Sequence, residues 1–441
     1  MDSIVKLKQT ILLAGDVFML YLSLFGTLLA RYGGLRRLHS HIVPFTLIFI
    51  VWIIIQYIAG LYSLHALKND SSFFSKLSWS FLTNAIVALT FFYFATDIEI
   101  APKTNFFIFL LFAGSLEYWW RTIFNNILNA AKPTTNLLLI GTSPIAHTIA
   151  EQLRLNPQIG YCVAFWIKDG LNDPEFNHLS QIIIKHEITT IVMPAHLKKS
   201  TYAARAIYNN LALGVEVIDL AELYERIFGK VPLSELQEVW FLENLAKRHS
   251  LYEALKRPAE FILALLLFII TLPLTFLIGV IIKLTSRGPL IYSQERVGKG
   301  GHSFRLYKFR SMNNDAEKHG PVWSRQGDNR VTPFGSFLRR THLDEFPQLI
   351  NVLRGELSII GPRPERPEFV TMLREKIPFY DLRHMVKPGI TGWAQVHYRY
   401  GASVNDAYEK LQYEIYYLKN RSVFYDVVVT LKTLRFFFSN L

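Results

Sequence analysis

Two adjacent carboxylates, Asp344 and Glu345, stand between the arginine pair Arg339–Arg340 and a Pro-Arg-Pro segment that carries Arg363. Acids set among Arg and Lys, with no His/Cys cluster beside them, suit a hard cation and phosphate chemistry better than zinc hydrolysis. Mg²⁺ takes one or two carboxylates together with substrate phosphates. Cationic donors for a pyrophosphate are available in Lys308, Arg310, Arg325, Arg330, Arg339 and Arg363. A carboxylate can also attack phosphorus, splitting one transfer into two steps. The plainer reading is that acids in the first turn of a helix offset its dipole.

The element holding these acids follows from periodicity. Leu343, Phe346, Leu349, Ile350 and Leu353 recur at helical spacing, which predicts a helix capped by Thr341 with both acids in its first turn. On one continuous helix, Arg339 lies about 140° around the axis from Asp344, and Arg340 is the i, i+4 neighbour. Arg340 then faces the aspartate, and Arg339 does so only where the helix starts or bends between them. Upstream, residues 291–296 and 304–310 read as two strands around the turn Gly298-Lys-Gly-Gly301, a hairpin more readily than a phosphate cradle. Lys308 and Arg310 fall on one face of the second strand by the period-2 rule. Helical stretches from 406 onward mix tyrosines with Lys410, Lys419, Arg421, Lys432 and Arg435, as membrane-interface helices and ordinary core helices both do.

The rest of the chain points to a membrane. Of 441 residues, 51% are hydrophobic and 14% aromatic, and Lys plus Arg outnumber Asp plus Glu by 47 to 35. That balance favours anionic membrane surfaces or phosphorylated substrates. No zinc-finger spacing or Arg-rich arm speaks for nucleic acid, and one cysteine, Cys162, excludes an internal disulfide framework. Residues 1–132 contain four apolar segments, roughly 10–30, 42–62, 77–95 and 104–124, each near the ~20 residues that cross a bilayer. The first is long enough to remain as a span, and the basic residues lean toward both ends of the bundle lying inside. Asp16 and the i, i+4 pair Glu117/Arg121 fall toward segment ends and read as structural.

Residues 133–250 change character. Strands expected near 136–140, 161–167, 188–193 and 214–218 alternate with helical stretches, which implies a parallel α/β sheet. The turn at Gly141 stands at the dinucleotide-binding position, but Ser143 and Ala146 replace two fingerprint glycines, so a degenerate Rossmann-like domain is expected. Residues 251–287 contain 22 uncharged residues, Phe261 to Ile282, flanked by basic residues on both sides and carrying Pro273 in the middle. A re-entrant helix hairpin broken at Pro273 satisfies both the proline and the positive-inside tendency. Residues 288–441 form the remaining unit.

The runs Leu306-Tyr-Lys-Phe-Arg-Ser-Met312, Leu343-Asp-Glu-Phe-Pro-Gln-Leu349, Gly361-Pro-Arg-Pro-Glu365 and Lys387-Pro-Gly-Ile-Thr-Gly-Trp-Ala-Gln395 resemble, in order, motifs of the bacterial sugar transferases. More specifically they resemble the monotopic polyprenyl-phosphate phosphoglycosyltransferases. The resemblance covers 256–441, and the four-span bundle and α/β region look like the family's long members, which act as undecaprenyl-phosphate glucose or galactose phosphotransferases. It implies a mostly α-helical catalytic domain on the cytoplasmic face of the bacterial inner membrane. Asp344 would attack the sugar-bearing phosphate of a UDP-sugar, releasing UMP, and polyprenyl phosphate would then take the phosphosugar. It further implies that Asp344 and Glu345 hold Mg²⁺, that Arg339 positions the lipid phosphate, that Arg363 binds the nucleotide diphosphate, and that a homodimer forms. Exopolysaccharide, capsule and O-antigen assembly begin with such a step. This chain has His342 where a serine is common and Leu272 before Pro273 where a serine is often found. The rival readings are a membrane-anchored NAD(P)-dependent sugar-nucleotide dehydratase, for which Tyr252-x-x-x-Lys256 would be the catalytic pair, and a non-enzymatic scaffold.

Overall fold

The computed structural model describes the chain except residues 1–2, 64–66, 68, 95–101, 131–134, 169–173, 247–249, 314–329, 399–400, 402 and 440–441. It divides into two compact units, Met1–Ile227 and Phe228–Leu441.

The first unit begins with four long helices, α1 (Ser3–Tyr32), α2 (Leu38–Ile58), α3 (Ser71–Phe94) and α4 (Pro102–Ala130). Leu20, Leu24 and Leu28 recur every four residues along α1 and pack with Phe45, Phe49 and Trp52 of α2, Phe92 of α3 and Phe109 of α4. The outward faces are apolar too, with Phe18, Val43, Ile86 and Leu111 exposed, which a water-facing surface would not tolerate at this density. Leu7–Tyr32 of α1 and all of α2 are long and apolar enough to cross a membrane. The buried faces of α3 and α4 carry polar side chains, Asn84 on the first and Asn105, Glu117, Arg121 and Asn125 on the second.

The unit continues with β1 (Thr135–Ile140), α5 (Pro144–Leu155), β2 (Tyr161–Ile167), α6 (Leu179–Lys185), β3 (Thr190–Met193), α7 (Ala195–Lys198), α8 (Thr201–Tyr208), β4 (Glu216–Asp219) and α9 (Leu220–Phe228). All four strands are parallel, in the order β2-β1-β3-β4, with Leu138 of β1 opposite Ile191 of β3. The apolar runs of the two central strands, β1 and β3, are buried on both faces, while the edge strands β2 and β4 are partly open. Ser143 caps α5 by accepting from the Ala146 amide at 3.2 Å.

The second unit contains α10 (Glu238–Leu245), α11 (Ser250–Thr285), the antiparallel hairpin β5 (Ile291–Val297) and β6 (Ser303–Phe309), α12 (Pro333–Arg340), α13 (Gln348–Leu353), β7 (Ser358–Ile360), α14 (Pro367–Lys376), β8 (Gly389–Thr391), α15 (Trp393–His397), α16 (Val404–Asn420) and α17 (Val423–Ser439). Residues 228–246, grouped by sequence with the α/β region, pack here instead. The Val231 amide donates to the Gln412 carbonyl, Trp393 Nε1 donates to the Gly229 carbonyl, and Val231, Leu233 and Phe241 join the core built on Leu411 and Ile415. That makes α16 a core helix. α11 keeps helical backbone through Pro258 and Pro273, since a proline removes one amide donor while the turns on either side keep theirs, so no loop divides it into two helices at Pro273. Only 11% of its most apolar stretch is buried.

Candidate active site

The acids lie on a turn between two helices, not in a helix's first turn. Arg339 and Arg340 end α12, and Thr341 closes that helix, its Oγ1 donating back to the Phe337 carbonyl at 2.9 Å. His342 adopts the left-handed region (φ 54°), and a short 3₁₀ turn, Leu343–Glu345, carries the pair into Pro347 and α13. The expected Thr341 N-cap therefore does not exist, because the chain reverses one residue later. The reversal also separates the arginines: Arg340 is exposed, whereas Arg339 is half-buried, donates from Nε to Ser311 Oγ at 3.1 Å, and lies close enough to bear on the Asp344 charge.

Glu345 is clamped. Lys308 Nζ and Arg363 Nη2 both donate to its Oε1, at 2.7 and 2.8 Å. Burial would raise the Glu345 pKa, but Arg363 and Lys308 outweigh it and hold the carboxyl well below the ordinary range. Asp344 is 6% exposed, and among the described residues no group donates a hydrogen bond to its side chain. Its pKa is raised, first by burial and then by Glu345, against Lys308 and Arg339, which lower it. Burial also lowers the Lys308 pKa, although Glu345 pulls it upward. The pair thus splits into one carboxylate fixed by two cations and one left without a direct donor.

Backbone packing sets this arrangement. Asn351 of α13 is fully buried; its Nδ2 donates to the Arg305 carbonyl at 2.7 Å and its Oδ1 accepts from the Tyr307 amide at 3.1 Å. These bonds lock α13 to the edge of β6 beside Lys308. β7 and β8 pair in parallel, and the Gly361-Pro-Arg-Pro run that follows β7 stays beside Lys387-Pro-Gly, with Gly389 N donating to the Pro362 carbonyl at 2.8 Å. A Cβ on Gly389 would fall 2.1 Å from the Gly361 amide, so this approach requires glycine. Arg383, in a buried bidentate pair with Glu414 (2.9 and 2.7 Å), also donates to the Arg363 carbonyl at 2.8 Å. Asn351, Arg383 and Glu414 escaped the sequence reading, since the partners named here are 20 to 46 residues away and no local spacing marks them.

Other candidates lie elsewhere. Arg310 is buried and donates to the Arg287 and Ser286 carbonyls (3.0 and 2.8 Å) and to Ser286 Oγ (2.7 Å), tying the end of α11 to β6. Arg330 contributes its carbonyl to the Asn313 amide at 2.9 Å. Arg325 lies outside the described residues. The Tyr252/Lys256 pair is a tether: Lys256 Nζ donates to Tyr252 Oη, the Ile360 carbonyl and Tyr417 Oη (2.9, 2.9 and 3.0 Å) and pairs with Asp426 at 3.0 Å. In the other unit, the Cβ position of Gly141 is already in contact with Leu197 and Pro194, at 3.5 and 3.6 Å. For a metal, Asp344 and the second oxygen of Glu345 supply hard donors of the kind Mg²⁺ accepts alongside substrate phosphates. No cluster of three His, Cys, Asp or Glu that could hold an ion occurs among the described residues.

The bacterial sugar transferase family model matches residues 251–440. A UDP-N-acetylgalactosamine-undecaprenyl-phosphate N-acetylgalactosaminephosphotransferase of Aeromonas hydrophila is 41% identical over 221 residues, 50% of this chain and 52% of the relative. The chain thus spans about half the length of that relative. The undecaprenyl-phosphate galactose phosphotransferase of Salmonella typhimurium is 28% identical over 361 residues, covering 73% of this chain and 72% of its own. The putative undecaprenyl-phosphate N-acetylgalactosaminyl 1-phosphate transferase of Bacillus subtilis is shorter, and the match covers 78% of it over 140 residues. Together with the apolar helices, these relatives mark a membrane-associated protein. At 50% identity over most of the Bacillus relative, and with the family's pattern running from residue 251 to 440 across the acidic pair, the chain belongs to the bacterial sugar transferases.

Proposed function

We propose that the protein transfers a sugar 1-phosphate from a UDP-sugar to undecaprenyl phosphate, giving undecaprenyl diphosphate-sugar and UMP, as the initiating step of exopolysaccharide, capsule or O-antigen assembly. The observation that carries this reading is the split of the acidic pair. Asp344, buried and without a hydrogen-bond donor among the described residues, is free to attack, while Glu345 is held by Lys308 and Arg363. An Asp344 carboxylate oxygen bonds to the sugar-bearing phosphorus, and the bond from that phosphorus to the bridging oxygen breaks, so UMP leaves with the electron pair. A phosphate oxygen of the lipid then attacks the same phosphorus and the Asp344 carboxylate departs unchanged. Arg363, the more exposed of the two clamping cations, receives the nucleotide diphosphate, and Arg339 receives the lipid phosphate. Mg²⁺ held by Asp344 and Glu345 would offset the diphosphate charge.

We place this unit at the cytoplasmic face of the inner membrane, with α11 entering and leaving by the same side. Ala264 and Phe268 share a cluster with Leu306, and Ile278 and Ile282 share one with Phe309. Eighteen residues of straight helix cover about 27 Å, while three residues of strand cover about 10 Å, so a bend near Pro273 reconciles the two contacts. Lys256 and Arg257 before the apolar stretch and Lys283 and Arg287 after it favour one side for both ends. The α1–α4 segment is read as a four-span bundle and the parallel sheet as a Rossmann-like domain without the glycine fingerprint. A homodimer remains part of the proposal through the family alone.

The test supplies purified protein with Mg²⁺, undecaprenyl phosphate and, in turn, UDP-N-acetylgalactosamine, UDP-galactose and UDP-glucose, and measures UMP. Turnover with at least one sugar is expected. Without the lipid, a single burst of about one UMP per enzyme should appear, the mark of a covalent intermediate. Silence with every sugar, or full activity in Asp344→Asn, overturns the mechanism.

A further inference from the structure

A cleft of about 530 Å³ opens between the start of α11 and the far end of α13, away from the acidic pair. Two cations converge on it. Lys387 Nζ and an Arg257 guanidinium nitrogen lie 3.4 and 3.9 Å from one point above Gly355. Among the described residues, neither side chain makes a hydrogen bond or ion pair. Burial lowers the Lys387 pKa first, and then Arg257 and Lys299 add to it, as crowded like charges do; Glu260 works the other way. The Glu260 carboxylate is already committed to β7: its Oε1 accepts from Ser358 Oγ at 2.6 Å and from the Ile359 amide at 3.1 Å. The remaining lining is apolar, including Val352, Leu353 and Leu357, and it continues into Phe261 and Ile262, which lie exposed on α11.

We propose that this cleft seats the phosphate of an anionic phospholipid, whose acyl chains run along the exposed face of α11. One phosphate can bridge two cations held this far apart, as basic pockets beside membrane helices do with lipid headgroups. The apolar wall gives the chains a surface continuous with the bilayer. The acceptor phosphate belongs elsewhere, because α13 adds roughly 9 Å between this cleft and the acidic turn, whereas a reacting phosphorus must come within about 3.5 Å of Asp344. The seated lipid would fix the depth and tilt of the entering half of α11. The inference rests on the membrane placement of α11 and not on the transfer chemistry.

Native mass spectrometry of the full chain in detergent, with phosphatidylglycerol, phosphatidylcholine or undecaprenyl phosphate added, tests it. Wild-type protein should retain one phosphatidylglycerol under activation that strips phosphatidylcholine. Arg257→Gln/Lys387→Gln should lower phosphatidylglycerol retention about tenfold or more, while Arg374→Gln, at an exposed cation paired with Asp381, leaves it unchanged. Equal retention of the two phospholipids by the wild type overturns the proposal, even where the double variant fails to fold. So does undiminished phosphatidylglycerol retention in a folded double variant. Preferential undecaprenyl phosphate binding lost in the same variant would assign the cleft to the acceptor and overturn the choice of phospholipid. None of these outcomes touches UMP release, which decides the transfer reading separately.

Discussion

Buried charges in the helical segment of the first unit and at the acidic turn of the second are organised in opposite ways. In the helical segment of the first unit, Arg121 donates to Asp16 Oδ2 and the Leu61 carbonyl (both 2.6 Å), Tyr62 Oη donates to the same Asp16 oxygen at 2.6 Å, and Gln56 Nε2 donates to Glu117 at 3.1 Å. Asp16 and Arg121 are fully shielded from solvent. Each acid there has a donor. In the acidic turn of the second unit, among the described residues, both donors go to Glu345 and none to Asp344, and Arg363 stays 41% exposed. Burial is common to both sets, so burial does not mark chemistry. An acid left unpaired beside cations that a substrate can reach does.

The largest effect should come from exchanging the two aspartates' fates. Asp344→Asn removes the nucleophile and should cut UMP release by a factor on the order of 10⁴ or more, with the melting temperature nearly unchanged. Asp16→Asn leaves Arg121 buried without its counter-charge and should cost about 3–5 kcal/mol of stability while turnover per folded molecule holds. Thermal unfolding and single-turnover UMP assays on both variants check this. A folded, inactive Asp16→Asn would break the comparison.

Arg383→Met should resemble Asp16→Asn in stability but not in activity. It strands buried Glu414, costing about 3–5 kcal/mol, and also frees the Arg363 carbonyl. KM for the UDP-sugar should rise more than kcat falls, because the residue positions a substrate-binding arginine without touching the reacting atoms. A matching loss in both constants would place Arg383 closer to the chemistry.

Much of this was readable beforehand, and the part that was not has a common cause. The strands of the α/β region announce themselves as short apolar runs such as Leu137–Ile140, and the acids announce themselves by adjacency. The left-handed His342 does not, since a histidine there reads as one more helical residue, and so the choice of Arg339 over Arg340 beside Asp344 stayed hidden. Arg310 looked like a phosphate ligand because sequence does not show that Ser286, 24 residues earlier, consumes it. Residues 228–246 looked like the end of the α/β region because their partners on α15 and α16 come more than 150 residues later. Local pattern reports what neighbours in sequence decide.

Lys308 tests the electrostatic half of the comparison. Asp344 must be ionised to attack, and its pKa is raised, so UMP release should climb with pH along an acid limb above the ordinary aspartate value. Lys308→Met removes the strongest influence lowering that pKa. The limb should therefore move to higher pH, with turnover on its plateau down roughly 100-fold through loss of a preorganised cation. Glu345 behaves oppositely in stability. Its folded pKa lies below its unfolded one, so its contribution is full above the ordinary glutamate value and fades as pH falls through the folded value. Lys308→Met should shrink that acid-side dependence, which urea unfolding at several pH values measures.

The smallest effect is also the sharpest test of how α12 ends. A continuous helix would put Arg340 near Asp344; the reversal at His342 gives that place to Arg339 and sends Arg340 into solvent. Arg339→Gln should lower turnover about tenfold and push the acid limb upward, because Arg339 is among the charges that lower the Asp344 pKa. Arg340→Gln should stay within about twofold, as an exposed charge screened by salt allows, and should leave the limb where it is. Equal losses in the two variants, or a shifted limb in Arg340→Gln alone, would restore the continuous helix and dissolve the asymmetry that separates this acidic pair from the buried charges of the first unit.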